Sequence, residues 1–124
     1  MPINRTRAQR FDELVLDAVE DLEQHWAAEL ADVQFAVEEV PPPVSGRAAE
    51  FDPELVVDRG VPLGRLLRTG GPGTTAPTIV VYRRPVEARG IDDEDRGELV
   101  FMVVAELAAE LLGRDVDEID PPRD

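Results

Sequence analysis

The sequence predicts an α+β fold, in which a small twisted sheet of three to four strands packs with a long N-terminal helix and a C-terminal helix. Three observations predict it: helical periodicity near the N-terminus, strand-like runs in the middle of the chain, and an apolar helical run toward the C-terminus. A chain of 124 residues has room for one hydrophobic core. We therefore predict a single domain over residues 1–124.

The N-terminal helix is indicated by a start signal and by its apolar spacing. Thr6 followed by Gln9 has the form of a capping box, in which the side chain of each residue accepts a hydrogen bond from the backbone N–H of the other. The apolar residues that follow at helical spacing are Phe11, Leu14, Val15, Ala18, Leu22 and Trp26. The helix is predicted either to continue or to break near Glu23 and resume to about Leu30.

The first strand is predicted where Val33, Phe35 and Val37 alternate with more polar residues, and the proline run 41–43 ends it. Phe35 and Trp26 are predicted to be core residues.

Two further strands are predicted from apolar runs bounded by turn residues. Residues 55–57 form a short strand that turns at Arg59-Gly60 and stops around Pro62. Residues 79–82 form a third strand, and residues 83–85 carry it toward a turn at Arg89-Gly90.

The final helix is predicted to begin at Asp92 and Asp93, because acids through Asp95 suit the positive end of a helix dipole. The apolar run from residue 99 to 105 indicates that this helix is buried on most sides. Segments 41–53 and 69–77 are predicted loops, and residues 119–124 a flexible tail.

Composition excludes several classes of function. Acidic residues outnumber basic ones by 27 to 13, and the resulting charge of −14 repels phosphate backbones and anionic lipid surfaces, so neither nucleic acid nor a membrane is an expected partner. The chain has no Cys and therefore no disulfide or thiolate metal site. No stretch has the length and apolarity of a signal peptide or a membrane span, which predicts a cytoplasmic protein.

The final helix and three other segments carry a family resemblance. The helix includes Ala105-Glu106-Leu107-Ala108-Ala109 and reaches Asp115, and the other segments are Pro-Pro-Pro at 41–43, Gly-Val-Pro-Leu at 60–63 and Tyr-Arg-Arg-Pro at 82–85. Together these segments resemble the minimal zincin-like metallopeptidases, small single-domain proteins with the signature H-E-x-x-H-x-x-G-x-x-D. The resemblance covers most of the chain and implies a minimal zincin-like fold.

Overlaying the signature implies a role for each matching position. Ala105 and Ala109 fall where the family has its zinc-binding histidines, Glu106 falls at the general base, and Asp115 falls at the third ligand. Leu112 takes the place of the glycine, with Gly113 displaced by one.

Zinc, which the family implies, is predicted to be absent here, since alanine has no lone pair and two of the three protein ligands are missing. Glu106 is then a vestigial general base without an activated water. His25, the only imidazole, cannot replace two histidines.

Other residues offer alternative sites. Glu106, Glu110, Asp115 and Asp117 form an acidic group that would suit a hard cation, although solvated surface carboxylates are commoner. Arg83 and Arg84 have the fork that binds a carboxylate or peptide terminus, or else they pair with nearby acids.

The predicted function is therefore a catalytically inactive zincin-like homologue that binds a protein or peptide. In this prediction the exposed edge of the third strand accepts an extended segment. The alternative is a residual hydrolase, in which Glu106 acts with a cation held by Asp115 and nearby carboxylates. A purely structural subunit is a third possibility.

Overall fold

The computed structural model describes residues 5–43, 51–71 and 73–121 and confirms the α+β fold. Four helices and a four-stranded sheet form this part of the chain. In chain order the elements are α1 (Arg7–Trp26), β1 (Gln34–Glu38), β2 (Leu55–Asp58), β3 (Val61–Leu67), β4 (Thr78–Tyr82), α2 (Arg83–Arg89), α3 (Asp93–Leu112) and α4 (Val116–Ile119).

The predicted capping box is present at the start of α1. The Thr6 hydroxyl accepts from the Gln9 backbone N–H at 3.1 Å, and the Gln9 side chain accepts from the Thr6 N–H at 2.9 Å. The helix passes Glu23 without a break and ends at Trp26, and turns follow to residue 32. Its buried face contains Phe11, Val15, Ala18 and Leu22, all from the predicted stripe.

The sheet has the order β1-β4-β3-β2. β1 runs parallel to β4, and the β4–β3 and β3–β2 pairs are antiparallel. Every residue of β4 is buried, as expected for a central strand with a neighbour on each side. The two edges of the sheet are therefore β1 and β2.

The prediction that the second strand region stops around Pro62 is wrong, because β3 begins at Val61 and passes through Pro62. Arg59 and Gly60 have φ values of 51° and 78°, and two consecutive positive values are typical of the tight turn that joins hairpin strands. A register shift between Val56 and Val57 accommodates the proline opposite β2. The turn residues Arg59 and Gly60 therefore mark a hairpin between two strands rather than the end of the strand region.

The prediction that residues 83–85 extend the third strand is also wrong, because they form the first turn of α2. Proline is tolerated in a first helical turn, where its missing N–H would have no intrahelical acceptor. The Arg84 N–H donates to the Glu39 carbonyl just beyond β1 at 3.0 Å, which anchors this turn.

α3 has the predicted N-terminus, where the Asp92 carboxylate accepts from the Asp95 N–H at 2.9 Å. It ends at Gly113, whose φ of 66° is the left-handed conformation that commonly terminates helices. Asp115 then caps α4. Ile119, where the predicted tail starts, is the last residue of α4 and is buried.

The described residues of the predicted loops, 41–53 and 69–77, lie outside the α-helices and strands. Residues 44–50 and Pro72 of these loops, and residues 122–124 of the predicted tail, are outside the described ranges. No helix in the described ranges is long and apolar enough to cross a membrane.

The core lies between α3 and the sheet, and its closest approach is at Gly64 of β3. A Cβ at that position would lie 2.5 Å from Val103 Cγ1 and 2.8 Å from the Val80 carbonyl oxygen. Both neighbours are fixed, because Val103 is fully buried and the carbonyl belongs to the central strand. Only glycine permits this distance between helix and sheet.

We predict that Gly64→Ala lowers the free energy of unfolding by about 1–3 kcal/mol, the usual cost of overpacking a core. Gly97→Ala inside α3 is the matched control, since a Cβ there would make an ordinary 3.5 Å contact with Leu14 Cδ2 of α1. That control is expected to stabilise the protein by about 0.5–1 kcal/mol, because alanine is the better helix residue. Urea denaturation measures both, and equal stability of the two variants would contradict the tight contact at Gly64.

Candidate functional site

Glu106 lies in a groove of about 580 Å³ between α3 and the edge strand β2. We call this the Glu106 groove. From α3 it is lined by a stripe consisting of Asp95, Leu99, Met102 and Glu106. Residues 56–59 of β2 and its turn form the facing wall, and Ala88 and Arg89 of α2 close one end. Helical spacing explains the stripe, because steps of three and four residues return to one face.

The Glu106 carboxylate is the titratable group most affected by this groove. The residue is exposed overall, yet the groove walls partly dehydrate its carboxylate, and this desolvation raises the pKa of Glu106 above its ordinary value. A carboxyl group with a raised pKa is a better proton acceptor than an ordinary one. Glu106, which is predicted to be a vestigial general base, therefore lies in a groove.

The two positions that the signature overlay assigns to histidines, Ala105 and Ala109, lie in the hydrophobic core. Ala105 is 1% exposed and Ala109 is 4% exposed, and both belong to the main cluster of buried side chains. A methyl group supplies no donor atom for a metal. These positions contribute packing surface between α3 and the rest of the core.

Asp115 has a local role at the start of α4. Its carboxylate caps α4 by accepting from the Asp117 N–H at 2.9 Å. Glu110, another member of the predicted acidic group, has its carboxylate 3.5 Å from an Arg68 nitrogen, and its carbonyl accepts from the same guanidinium at 3.2 Å. The structure therefore gives these acids separate partners.

The acidic side chains are not arranged as a metal site. Within residues 5–43, 51–71 and 73–121, no group of three or more Asp, Glu or His side chains is arranged so that it could hold a metal ion.

His25 is exposed in the last turn of α1. Trp26 and Phe35 are half-buried at the margin of the core, and Arg114 stacks over the Trp26 ring at 5.2 Å.

Arg83 pairs with acids of its own chain, which was the simpler of the two interpretations. Its guanidinium contacts both carboxylate oxygens of Glu39, one of them at 2.7 Å, and lies 2.8 Å from Glu87. The hydrogen bonds from Arg83 lower the pKa of Glu39. Only 10% of the Arg83 side chain is exposed, so it faces no open groove. Arg84 is exposed and lines a different groove.

The expected peptide-binding edge has to be corrected. The predicted third strand is β4, which pairs with β1 on one side and β3 on the other and has no free edge. The edge strand that borders the Glu106 groove is β2. Strand order could not be read from the sequence, because β4 inserts between strands that precede it in the chain.

Arg89 and Asp58 are a further pair that sequence reasoning missed. The Arg89 Nε lies 2.6 Å from an Asp58 carboxylate oxygen, and another guanidinium nitrogen donates to the Asp58 carbonyl at 2.8 Å. Arg89 therefore binds both the side chain and the backbone of the last residue of β2. A separation of 31 positions leaves no local pattern that could have indicated the pair.

Comparison with known proteins gives one positive finding. A family model described as zincin-like metallopeptidase matches residues 30–123, which is most of the chain. Comparison with curated proteins gives no significant match.

We predict that Glu106→Gln raises stability at neutral pH relative to the unmodified protein. Because desolvation raises the folded-state pKa of Glu106, its protonated carboxyl group favours folding below the unfolded pKa of about 4.3, and that contribution disappears as the pH rises through the folded value. The neutral amide does not carry this penalty, so the advantage should shrink as the pH falls toward 4.

Thermal unfolding at several pH values measures this difference. Glu98→Gln, on the exposed face of the same helix, controls for the loss of one negative charge. The same pH-dependent gain in both variants would show that net charge, rather than desolvation in the groove, is responsible.

Proposed function

The chain belongs to the zincin-like metallopeptidase family, and we propose that it is a catalytically inactive member that binds an extended peptide segment of a protein partner. The observation that carries the proposal is the burial of Ala105 and Ala109 at the positions where the family signature has histidines. The segment would lie in the Glu106 groove.

The residues present do not fit zinc, the metal of this family. Of the four positions with assigned chemistry, two carry methyl groups inside the core, and Asp115 is committed to capping α4. Glu106 alone is a single carboxylate ligand, whereas zinc sites in proteins use three or four well-placed donors. We therefore derive no catalytic step through a metal.

Peptide binding is supported by the nature of the groove walls. β2 is an edge strand, so its outward backbone groups are available to a segment that adds to the sheet. Leu99 and Met102 provide apolar surface opposite this strand. Because Arg89 occupies the backbone carbonyl of Asp58, we propose that a bound segment pairs with residues 55–57 and ends at that point.

The alternative of a residual hydrolase has one supporting observation, the raised pKa of Glu106. It requires a cation near Asp115, and Asp115 and Glu110 already have other partners. A metal assay distinguishes the two proposals.

We expect protein purified without a His-tag and incubated with equimolar zinc to retain far less than stoichiometric metal by elemental analysis. Peptide cleavage should be undetectable, with or without a chelator. Tightly held stoichiometric metal, together with cleavage that a chelator and Glu106→Gln both abolish, would establish the hydrolase instead.

Ala105→His combined with Ala109→His provides the control for that assay. Each histidine enters a packed core, so without zinc the double variant should be less stable by about 1–3 kcal/mol per site. Any zinc binding that the imidazoles gain would appear as a rise in the midpoint of thermal unfolding on addition of zinc. No loss of stability would show that burial does not restrict these positions.

We predict that a photo-crosslinking residue in place of Met102 captures a protein from the organism's own cell extract. Met102 is 37% exposed within the groove. The same crosslinker in place of Leu16, which is 61% exposed on α1 and outside the groove, is the matched control. A partner bound at the groove gives a discrete adduct at position 102 alone, and equal capture at both positions would argue against a groove-specific partner.

A further inference from the structure

We propose that a second groove, on the other side of α2, binds an acidic peptide segment of a protein partner through its arginines. This groove has a volume of about 430 Å³ and lies between the first turns of α1, the exposed face of α2 and the first turn of α3. We call it the arginine groove. Its cationic lining consists of Arg7, Arg10, Arg84 and Arg96.

This concentration of arginine runs against the composition of the chain. Four of the 13 basic residues line one groove in a protein with 27 acids and a net charge of −14. If arginine served only to neutralise neighbouring acids, the surplus of carboxylates would leave few guanidiniums without a partner. A local excess of positive charge therefore indicates a role for an anionic ligand.

The two carboxylates in the groove are already engaged. Glu87 is 2.8 Å from Arg83, which lies behind the groove, and Asp93 is 3.5 Å from Arg96. In contrast, Arg7, Arg10 and Arg84 form no ion pair with another residue of the described ranges. All three are exposed, so their forks are accessible to a ligand.

The chemistry of the lining suits a short acidic peptide. A guanidinium binds a carboxylate through two parallel hydrogen bonds, and three separate guanidiniums suit carboxylates spaced along a chain. Leu14 and Ala88 add apolar surface for the aliphatic parts of the same segment. A long polyanion such as nucleic acid would also meet the acidic remainder of the surface. A short segment senses mainly the charges within a screening length of about 8 Å.

The arginine groove is independent of the Glu106 groove. Ala88 of α2 lines both grooves, and the other lining residues differ. An acidic ligand here needs neither zinc nor the β2 edge. Binding of an acidic segment in the arginine groove can therefore be tested separately from peptide binding beside Glu106.

The test is a ¹H–¹⁵N NMR titration of the full chain with hexaglutamate. We expect saturable shifts of the Leu14 and Arg96 backbone amides, with no shift of Gly60 in the distant hairpin turn. Affinity should fall as salt is raised, because the contacts are exposed ion pairs.

Variants locate the binding site. Arg84→Gln should weaken binding about two- to fivefold, the range expected for one exposed ion pair. Combining it with Arg7→Gln and Arg10→Gln should remove saturable binding, and glutamine is a good enough helix former for α1 to persist. Arg59→Gln is the matched control, because it removes the same charge from an exposed residue that lies in the Glu106 groove.

Three outcomes would overturn the proposal. Equal weakening by Arg59→Gln and Arg84→Gln would reduce the effect to net charge. Shifts of the same amides with inorganic pyrophosphate but not with hexaglutamate would assign the groove to a small phosphorylated ligand. The absence of saturable shifts with either probe would show that the arginines form no binding site.

Discussion

The close packing of α3 against the sheet is the constraint on which the rest of the structure depends. Gly64 allows Val103 and Leu107 to approach the backbone of β3 and β4 more closely than any side chain at position 64 would permit. A helix at this distance is surrounded by other elements, and most of its middle and C-terminal residues are buried. The small side chains of Ala105 and Ala109 fit this arrangement, so packing alone gives these two positions a structural role.

α2 connects the two edges of the sheet through polar contacts. At its start, the Arg83 side chain and the Arg84 N–H bind Glu39, which follows β1. At its end, Arg89 binds the side chain and the backbone of Asp58 in β2. Hydrogen bonds between charged groups are stronger than neutral ones, and water screens part of the attraction here because the Glu39 and Asp58 side chains are 57% and 47% exposed. One short helix thereby fixes both edge strands and separates the two grooves.

The structural features that depend on local sequence patterns were predicted correctly. The Thr6–Gln9 box, the buried stripe of α1 and the Asp92 cap all depend on residues within a few positions of one another, and each is found. Glu106 was singled out by the family resemblance rather than by periodicity. The errors occurred where tertiary contacts decide the outcome.

Residues 83–85 show why such contacts cannot be anticipated. After a β-branched strand, Arg-Arg-Pro reads equally well as a strand end and as a first helical turn. The decision depends on Glu39, which lies 44 positions from Arg83 and holds both its side chain and the following backbone N–H. The order of strands is determined in the same way, since insertion of β4 between β1 and β3 has no local signal.

The Glu106 carboxylate is partly desolvated in its groove, and this desolvation affects the stability of the fold. A partly desolvated carboxylate disfavours folding at neutral pH, and neither an ion pair nor a hydrogen bond to the Glu106 side chain is found within the described ranges. A bound segment that donates a hydrogen bond or presents a positive charge to Glu106 would remove that penalty. The arginine groove has the opposite charge, so a partner that engaged both sides of α2 would need a basic or donor group near Glu106 and acids near Arg84. Ala88 lines both grooves, so the two requirements would fall on adjacent stretches of any single segment that occupied both, although binding in either groove does not depend on the other.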